Sequence, residues 1–349
     1  MKGDLSPDTI LVYVGSNRDD AIGENVIKLP LLRALGDAFT GARITWIAGL
    51  GPAQFDGILK PLAGGMIDEF ITDLHLSDNP LAVLGIRPPL AGRRFGLIID
   101  TQHLPARTLR LRRIPHECFV SPAWRYAFSD RKPPGGAKDG GTLAERLLAL
   151  AAAAAGRPLR PSHIAPLPDA WHAAARALLP EGPVYVGLAP GAGRQGTGKC
   201  WPLARFVALA RDQSAKGRVP VFFLGPDEAG WLADLRQGVP GAEFPEWERA
   251  GVPGPIEGPP LVVALAHRLA VAVSNCSGTG HLLAAGGAPM VSLFAPTDPA
   301  KFAPYTPDLT AIRAQDFAAD GAGVGIEAIP LDAVSGAIDA RLSAPKSPV

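Results

Sequence analysis

A run of strand-like residues ends in "SNCSGTGH", Ser274–His281, and a stretch of small, helix-like residues follows to Pro289. Strand, Gly-rich turn, helix is a geometry that aims unsatisfied backbone N–H groups and the positive end of a helix dipole at a bound phosphate. Gly278 and Gly280 permit close backbone approach, Ser277 and Thr279 add hydroxyl donors, and His281 can donate to an anionic oxygen. The plainer reading is that the glycines only pack helix against strand. A second Gly-rich stretch, "LAPGAGRQGTGKCWPLARF" (Leu188–Phe206), carries Lys199 just ahead of Trp201 and Pro202, and Pro in a first helical turn is a start signal. Lys199 is placed to neutralise a phosphate at the same crevice, or else is a solvated loop lysine. The spacing is not that of a Walker loop, and Cys200 stands where Ser or Thr would hold magnesium. Trp201 reads as a core anchor. A third stretch, "NRDDAIGENVIKLPLLRAL" (Asn17–Leu35), puts Glu24 at the opening of a helix, where a carboxylate gains from the dipole. On the residues alone that electrostatic role is the favoured one.

These residues need strands and helices in alternation to bring them to one edge, and the chain supplies them. "ILVYV", "ARITWIA" and "FGLIIDTQ" are short, β-rich and almost continuously apolar, as expected of parallel strands buried on both faces. A helix interrupted early by Pro30 lies between the first two. The turn-rich "SDRKPPGGAKDGGT" breaks the rhythm, and two Ala-rich helices follow. The alternation then restarts with "VYVGLAP", "PLARFVALARDQSAKG", "VPVFFLG", "DEAGWLADLRQ", "LAVAVSN" and "MVSLF", and a helix "LDAVSGAIDARL" comes last. Two successive βα series imply an α/β chain of two Rossmann-like domains facing a central cleft, with ligands at the carboxyl ends of the strands.

The bulk properties agree. A chain of 349 residues fits two domains of about 150 each, and 47% apolar residues can fill two cores. A net charge of +1 gives no global pull toward nucleic acid. Three scattered cysteines without a Cys-x-x-Cys pair argue against a disulfide scaffold or a zinc site and suit a reducing cytosol. The opening "MKGDLSPDTILVYVG" lacks the pattern of a signal peptide, and "LLALAAAAAG" falls short of the ~20 residues that span a bilayer. The expectation is a cytoplasmic protein, with contact at the inner face of the membrane open.

Taken together, the motifs resemble glycosyltransferase family nine, whose members include bacterial lipopolysaccharide heptosyltransferases. The similarity lies in the opening strand, turn and Pro-containing helix, in the Asp-x-Gln strand end of "FGLIIDTQHL", and in "GKCWPLARFVALA", "VFFLGPDE" and "SNCSGTGHLLAAGGAPMVSLFAPTDP", which follow in the family's order. The resemblance implies a GT-B fold: an acceptor-binding domain over 1–160, a nucleotide-sugar-binding domain over 161–330, and a final helix over 331–349 packing back on the first domain. It implies an inverting transfer of heptose or a related sugar from a nucleotide-diphospho-sugar, with ADP the nucleotide the resemblance favours, to a glycan or glycolipid, without metal or cofactor. Glu24 would be the general base, in a position where the family has Asp. Lys199 and the turn Ser277, Gly278, Thr279, Gly280 and His281 would hold the diphosphate. Cys276 stands where the family has another Asp, and a neutral thiol supplies neither its charge nor its acceptor bonds.

Arg87 to Arg131 holds nine arginines (87, 93, 94, 107, 110, 112, 113, 125, 131) against Asp100, Glu117 and Asp130. This is either a solvated basic face or, in an acceptor domain, a match for an anionic acceptor, with Asp100, Gln102, Arg107, Arg110 and Arg113 as its contacts. Should Glu24 not be the base, Asp19, Asp20 and Asp100 are the other carboxylates near it in this reading. The departures at Glu24 and Cys276 keep open an alternative from another class, a non-catalytic descendant that binds a nucleotide sugar or glycan. A nucleotide-sugar epimerase on the same fold is a weaker reading. An NAD-dependent dehydrogenase is weaker still, because "GSNRDDAIGEN" is not G-x-G-x-x-G.

Overall fold

The structure is a computed structural model that describes residues 5–16, 21–72, 74, 76, 89–136, 140–193, 198–249, 252, 255–317 and 324–343. It divides into two compact units, Met1–Ser162 and His163–Val349.

The first unit is a five-stranded sheet in the order β3-β2-β1-β4-β5. Its strands are β1 (Thr9–Ser16), β2 (Arg43–Gly49), β3 (Glu69–Thr72), β4 (Phe95–Asp100) and β5 (His116–Val120), and all pairings are parallel. The helices are α1 (Ile22–Val26), α2 (Leu29–Ala38), α3 (Lys60–Ala63), α4 (Pro105–Leu111), a short turn α5 (Ala123–Tyr126) and α6 (Leu143–Ala155). The near-continuous apolar runs are buried on both faces, as Ile10 to Val14 illustrate. Pro30 sits in the first turn of α2, so the interruption expected there separates two helices. A capping box opens α6: Glu145 N–H donates to Thr142 Oγ1 (3.2 Å) and Thr142 N–H to Glu145 Oε2 (2.7 Å).

The second unit repeats the plan in the order β10-β9-β8-β6-β7, again all parallel. Its strands are β6 (Tyr185–Ala189), β7 (Val219–Phe222), β8 (Leu269–Asn275), β9 (Met290–Phe294) and β10 (Leu309–Arg313). Its helices are α7 (Asp169–Leu178), α8 (Leu203–Ala215), α9 (Leu232–Gly238), α10 (Pro259–Ala266), α11 (Gly278–Ala285), α12 (Pro299–Phe302) and α13 (Leu331–Ser343).

α13 packs on α8, β8 and β9 of its own unit, with Val334 and Ile338 in the second core. Its polar side is tied there too. Asp339 pairs with Lys216 (2.9 Å) and Arg218 (2.5 Å), and Ser335 Oγ donates to Asp212 (2.6 Å). The apolar and charged faces of α13 therefore both find complements on the second unit. Among the described residues no helix is long and apolar enough to cross a membrane.

Candidate functional site

In the first unit the carboxyl ends of β1 and β4 meet where the strand order reverses, the place where such sheets take ligands. Glu24 lies in α1, exposed, its N–H donating to Ala21 O (3.1 Å). Asp19 and Asp20 lie outside the described residues, as does Arg87.

Asp100 and Gln102, the expected acceptor contacts, are both engaged by the protein itself. The Asp100 side chain is wholly buried and takes three donors from the protein: Thr108 Oγ1 (2.6 Å), Ser121 Oγ (2.8 Å) and Gln102 N–H (2.9 Å). Burial pushes its carboxyl up to about 6, against those bonds and the charge of Arg107. Gln102 donates its side-chain amide to Val14 O. It lies so close to Gly15 that a Cβ there would stand 3.0 Å from Gln102 Cδ, at a left-handed φ of 64°. Gln102 therefore ties the end of β4 to β1, and Asp100 ties it to α4 and to the residue after β5.

Arg107, Arg110 and Arg113 lie on or just after α4, each partly buried. The Nε of Arg110 is buried without a hydrogen-bond partner. Other members of the arginine run have structural duties. Arg93 pairs with Glu69, Arg94 with Glu117, Arg112 with Asp130, and Arg131 donates to Ala154 O. A groove of about 490 Å³ lined by Thr9, Arg43, Thr45, Glu69, Arg93 and Phe95 lies at the amino ends of the strands, away from this edge.

In the second unit β6 and β8 are neighbours, so the loops that follow them emerge side by side. This brings two of the three predicted stretches together: the charge of Lys199 acts on the thiol of Cys276. Burial holds that thiol above the usual range, opposed by nearby Thr297 and by the charge of Lys199, so it is neutral at pH 7. A residue the sequence reading did not single out fastens the arrangement. Asn275, buried at the end of β8, donates to Pro190 O (2.7 Å) and accepts from Trp201 N–H (3.0 Å). One amide thus clasps both ends of the Lys199 loop, whose residues 194–197 lie outside the described set. Trp201 is buried and donates its indole N–H to Ile329 O (3.0 Å), the anchor expected.

Ser277 caps α11: its Oγ accepts from Gly280 N–H (3.2 Å) and its carbonyl from His281 N–H (3.3 Å). The N–H groups of Gly278 and Thr279 remain as the outward donors of this first turn. A Cβ on Gly280 would meet Ser274 Oγ at 2.6 Å and Asn275 O at 3.3 Å, so at this position the packing role is real. Burial pushes His281 down to about 4, so its ring is neutral at pH 7 and can donate only as an uncharged imidazole. Behind the turn is a cavity of about 10 Å³ lined in part by Ser274, Cys276, His281 and Ser292, the Oγ atoms of both serines being buried without partners. Glu228, another buried acid at this edge, fits against Gly191 and Gly225, and burial raises its carboxyl. The only sign of it in the sequence is the acid in "GPDE". Among the described residues no group of three or more His, Cys, Asp and Glu side chains is arranged to hold a metal ion.

A family model described as glycosyltransferase family 9 (heptosyltransferase) matches residues 120–320. No curated protein matches the sequence. Among solved structures, the chain is similar to a family 9 glycosyl transferase from Veillonella parvula (17% identity, 97% of this chain and 98% of that one, TM-score 0.69). It is also similar to Escherichia coli heptosyltransferase WaaC with ADP (18%, 95% and 99%, 0.65). A UDP-GlcNAc 2-epimerase from Methanocaldococcus jannaschii shares the fold at 11% identity, 97% and 93% coverage and TM-score 0.52. At these identities the structural likenesses speak for the fold, two parallel-sheet α/β units of the GT-B type.

Proposed function

The chain belongs to glycosyltransferase family 9, and on that footing we propose that it moves a heptose or related sugar from a nucleotide-diphospho-sugar to a glycan or glycolipid, with inversion and without metal. The observation that carries the donor side is that the Lys199 charge acts on Cys276, the residue that leads into the Ser277–His281 turn. As the bond from the anomeric carbon to the diphosphate breaks, negative charge grows on the leaving oxygen. Gly278 and Thr279 N–H groups, the α11 dipole and the Lys199 ammonium would meet it, with His281 as a neutral donor. Glu24 would take the proton of the attacking acceptor hydroxyl. Because Cys276 is a neutral thiol and not a carboxylate, this turn does not compete with the diphosphate for the Lys199 charge. ADP is the favoured nucleotide because a similar structure holds ADP. An anionic acceptor suits the arginines near α4, and the reaction would take place in the cytoplasm or at the inner face of the membrane, within lipopolysaccharide assembly.

The same neutral thiol also supports the second reading, a chain that binds nucleotide sugar without transferring it. A panel of nucleotide sugars with glycan acceptors, read as nucleoside diphosphate released, tests both. Release with one donor and one acceptor supports transfer; tight binding with no release on any acceptor supports the second reading. Release of a changed free sugar without acceptor would make the chain an epimerase instead.

A further inference from the structure

After β5 the chain makes a closed loop, 121–129, whose neck is tied twice by the same two residues. Ser121 N–H donates to Ser129 Oγ (2.8 Å), and Ser129 Oγ donates to Ser121 O (2.7 Å). Just below, Asp130 N–H donates to Phe119 O (2.8 Å) and the Asp130 carboxylate accepts from Phe119 N–H (2.8 Å). Ser121 Oγ also donates to Asp100 (2.8 Å) and accepts from Ala123 N–H (3.2 Å), so the buried acid of the β4 end is part of the same frame. Compact loops with joined ends are often functional.

Inside this frame three successive residues, Trp124, Arg125 and Tyr126, have left-handed backbone, with φ of 47°, 53° and 65°. L-residues disfavour that region, and a run of three persists only where the surroundings over-determine it. The conformation turns Tyr126 inward, 7% exposed, and leaves Trp124 69% exposed. The indole is steadied by Phe128, ring centroids 5.4 Å apart and planes 31° apart. The core gains little from Trp124, yet strained backbone and a doubly tied neck fix its ring at the carboxyl edge of the first sheet.

A fixed, outward indole offers a flat apolar face with a polar edge. The C–H face of a sugar ring matches it, since the sugar's hydroxyls stay in water while its carbons stack. We propose that Trp124 is the stacking platform for a sugar ring of the acceptor, and so a specificity-determining residue on the acceptor side. This rests on the reading of the first unit as acceptor-binding. The loop presents one immobilised ring instead of several apolar tips, which favours a glycan over a lipid bilayer as the occupant.

The test uses the full chain, its Trp124→Ala and Trp124→Phe variants, and an array of neutral, uronate-bearing and phosphorylated bacterial oligosaccharides. Calorimetry with ADP and sedimentation with phosphatidylglycerol vesicles run in parallel, and circular dichroism checks the fold. Wild type should be retained by at least one glycan. Trp124→Ala should weaken that retention about tenfold or more, the scale of one aromatic stacking contact. Trp124→Phe should restore most of it, which a merely structural role would not require, and ADP affinity should be equal in all three. Retention unchanged by Trp124→Ala overturns the proposal. So does a wild-type chain held by no glycan, or a loss seen only with vesicles, which would make the loop a membrane contact. Because the array reads binding without transfer, Trp124-dependent retention in a chain that fails to bind ADP sustains this proposal and sinks only the donor assignment.

Discussion

Two side chains divide the proposed chemistry, and each has a substitution that isolates it. Lys199 contributes charge. Lys199→Ala should weaken ADP binding by about 1–3 kcal/mol, the range for losing a charge-assisted bond, with the fold kept. Equal affinity for the two forms by calorimetry would remove Lys199 from the diphosphate site. Glu24 contributes proton affinity. Glu24→Gln keeps size and polarity but cannot accept the proton, so turnover should fall about 10²–10⁴-fold with donor affinity nearly unchanged. Transfer at the wild-type rate would leave Glu24 as a helix-end carboxylate only. Asp100 does not inherit the role in this structure, since its oxygens are buried and already accept three hydrogen bonds.

At the level of elements the donor edge depends on how closely α11 sits on β8. Gly280→Ala gains helix propensity but brings a methyl to 2.6 Å from Ser274 Oγ and 3.3 Å from Asn275 O. The helix must shift, and its N–H groups with it. A net loss of about 1–2 kcal/mol in stability together with weaker ADP binding is expected. Adding Ser274→Ala removes the nearer contact and a hydroxyl that has no partner, so the double variant should recover part of both losses. If Gly280→Ala alone binds ADP like wild type, the close approach has no bearing on the site. The strands and helices of this edge were legible in the sequence because β6, β8 and β9 are continuous apolar runs stopped by Gly and Pro, and because Ser277 and Pro202 mark helix starts. What was not legible needed a partner from elsewhere in the chain. α10, "PPLVVALA", shows no helical period because it is buried all round between α7 and α11. Asp100 looks like a ligand contact until Thr108 and Ser121 enclose it. α13 finds its place through partners far off in the chain, Lys216 and Arg218 for Asp339 and the second core for Val334 and Ile338. Asn275 carried a usable signal, a polar residue closing an apolar strand just before a Gly-rich turn.

For the whole molecule, buried and half-buried titratable groups set how stability changes with pH, and they pull in opposite directions. His281 is pushed down to about 4 from an ordinary 6.5. A depressed base favours folding when neutral, so its contribution is full above 6.5 and is lost as pH falls toward 4. Asp100 and Glu246 are raised, to about 6 and about 8, both first by burial. Raised acids favour folding when protonated. Their contributions are full below the ordinary carboxylate values and fade as pH climbs through about 6 for Asp100 and about 8 for Glu246. Between pH 4.5 and 6.5 the three therefore partly cancel. Above 6.5 His281 and Asp100 have largely finished titrating, while Glu246 continues to about 8, its carboxylate turned inward to accept from Leu224 N–H (3.2 Å). Unfolding free energy should thus fall from about pH 6.5 to about pH 8, by up to ~2 kcal/mol at 1.36 kcal/mol per unit, and level off beyond. Glu246→Gln mimics the protonated acid and keeps an acceptor for Leu224. It should match wild type near pH 4, already exceed it at pH 6.5, exceed it further near pH 8 and flatten the slope between. Urea unfolding of both proteins across this range reads the effect, and parallel slopes would show that Glu246 titrates as an ordinary surface carboxylate.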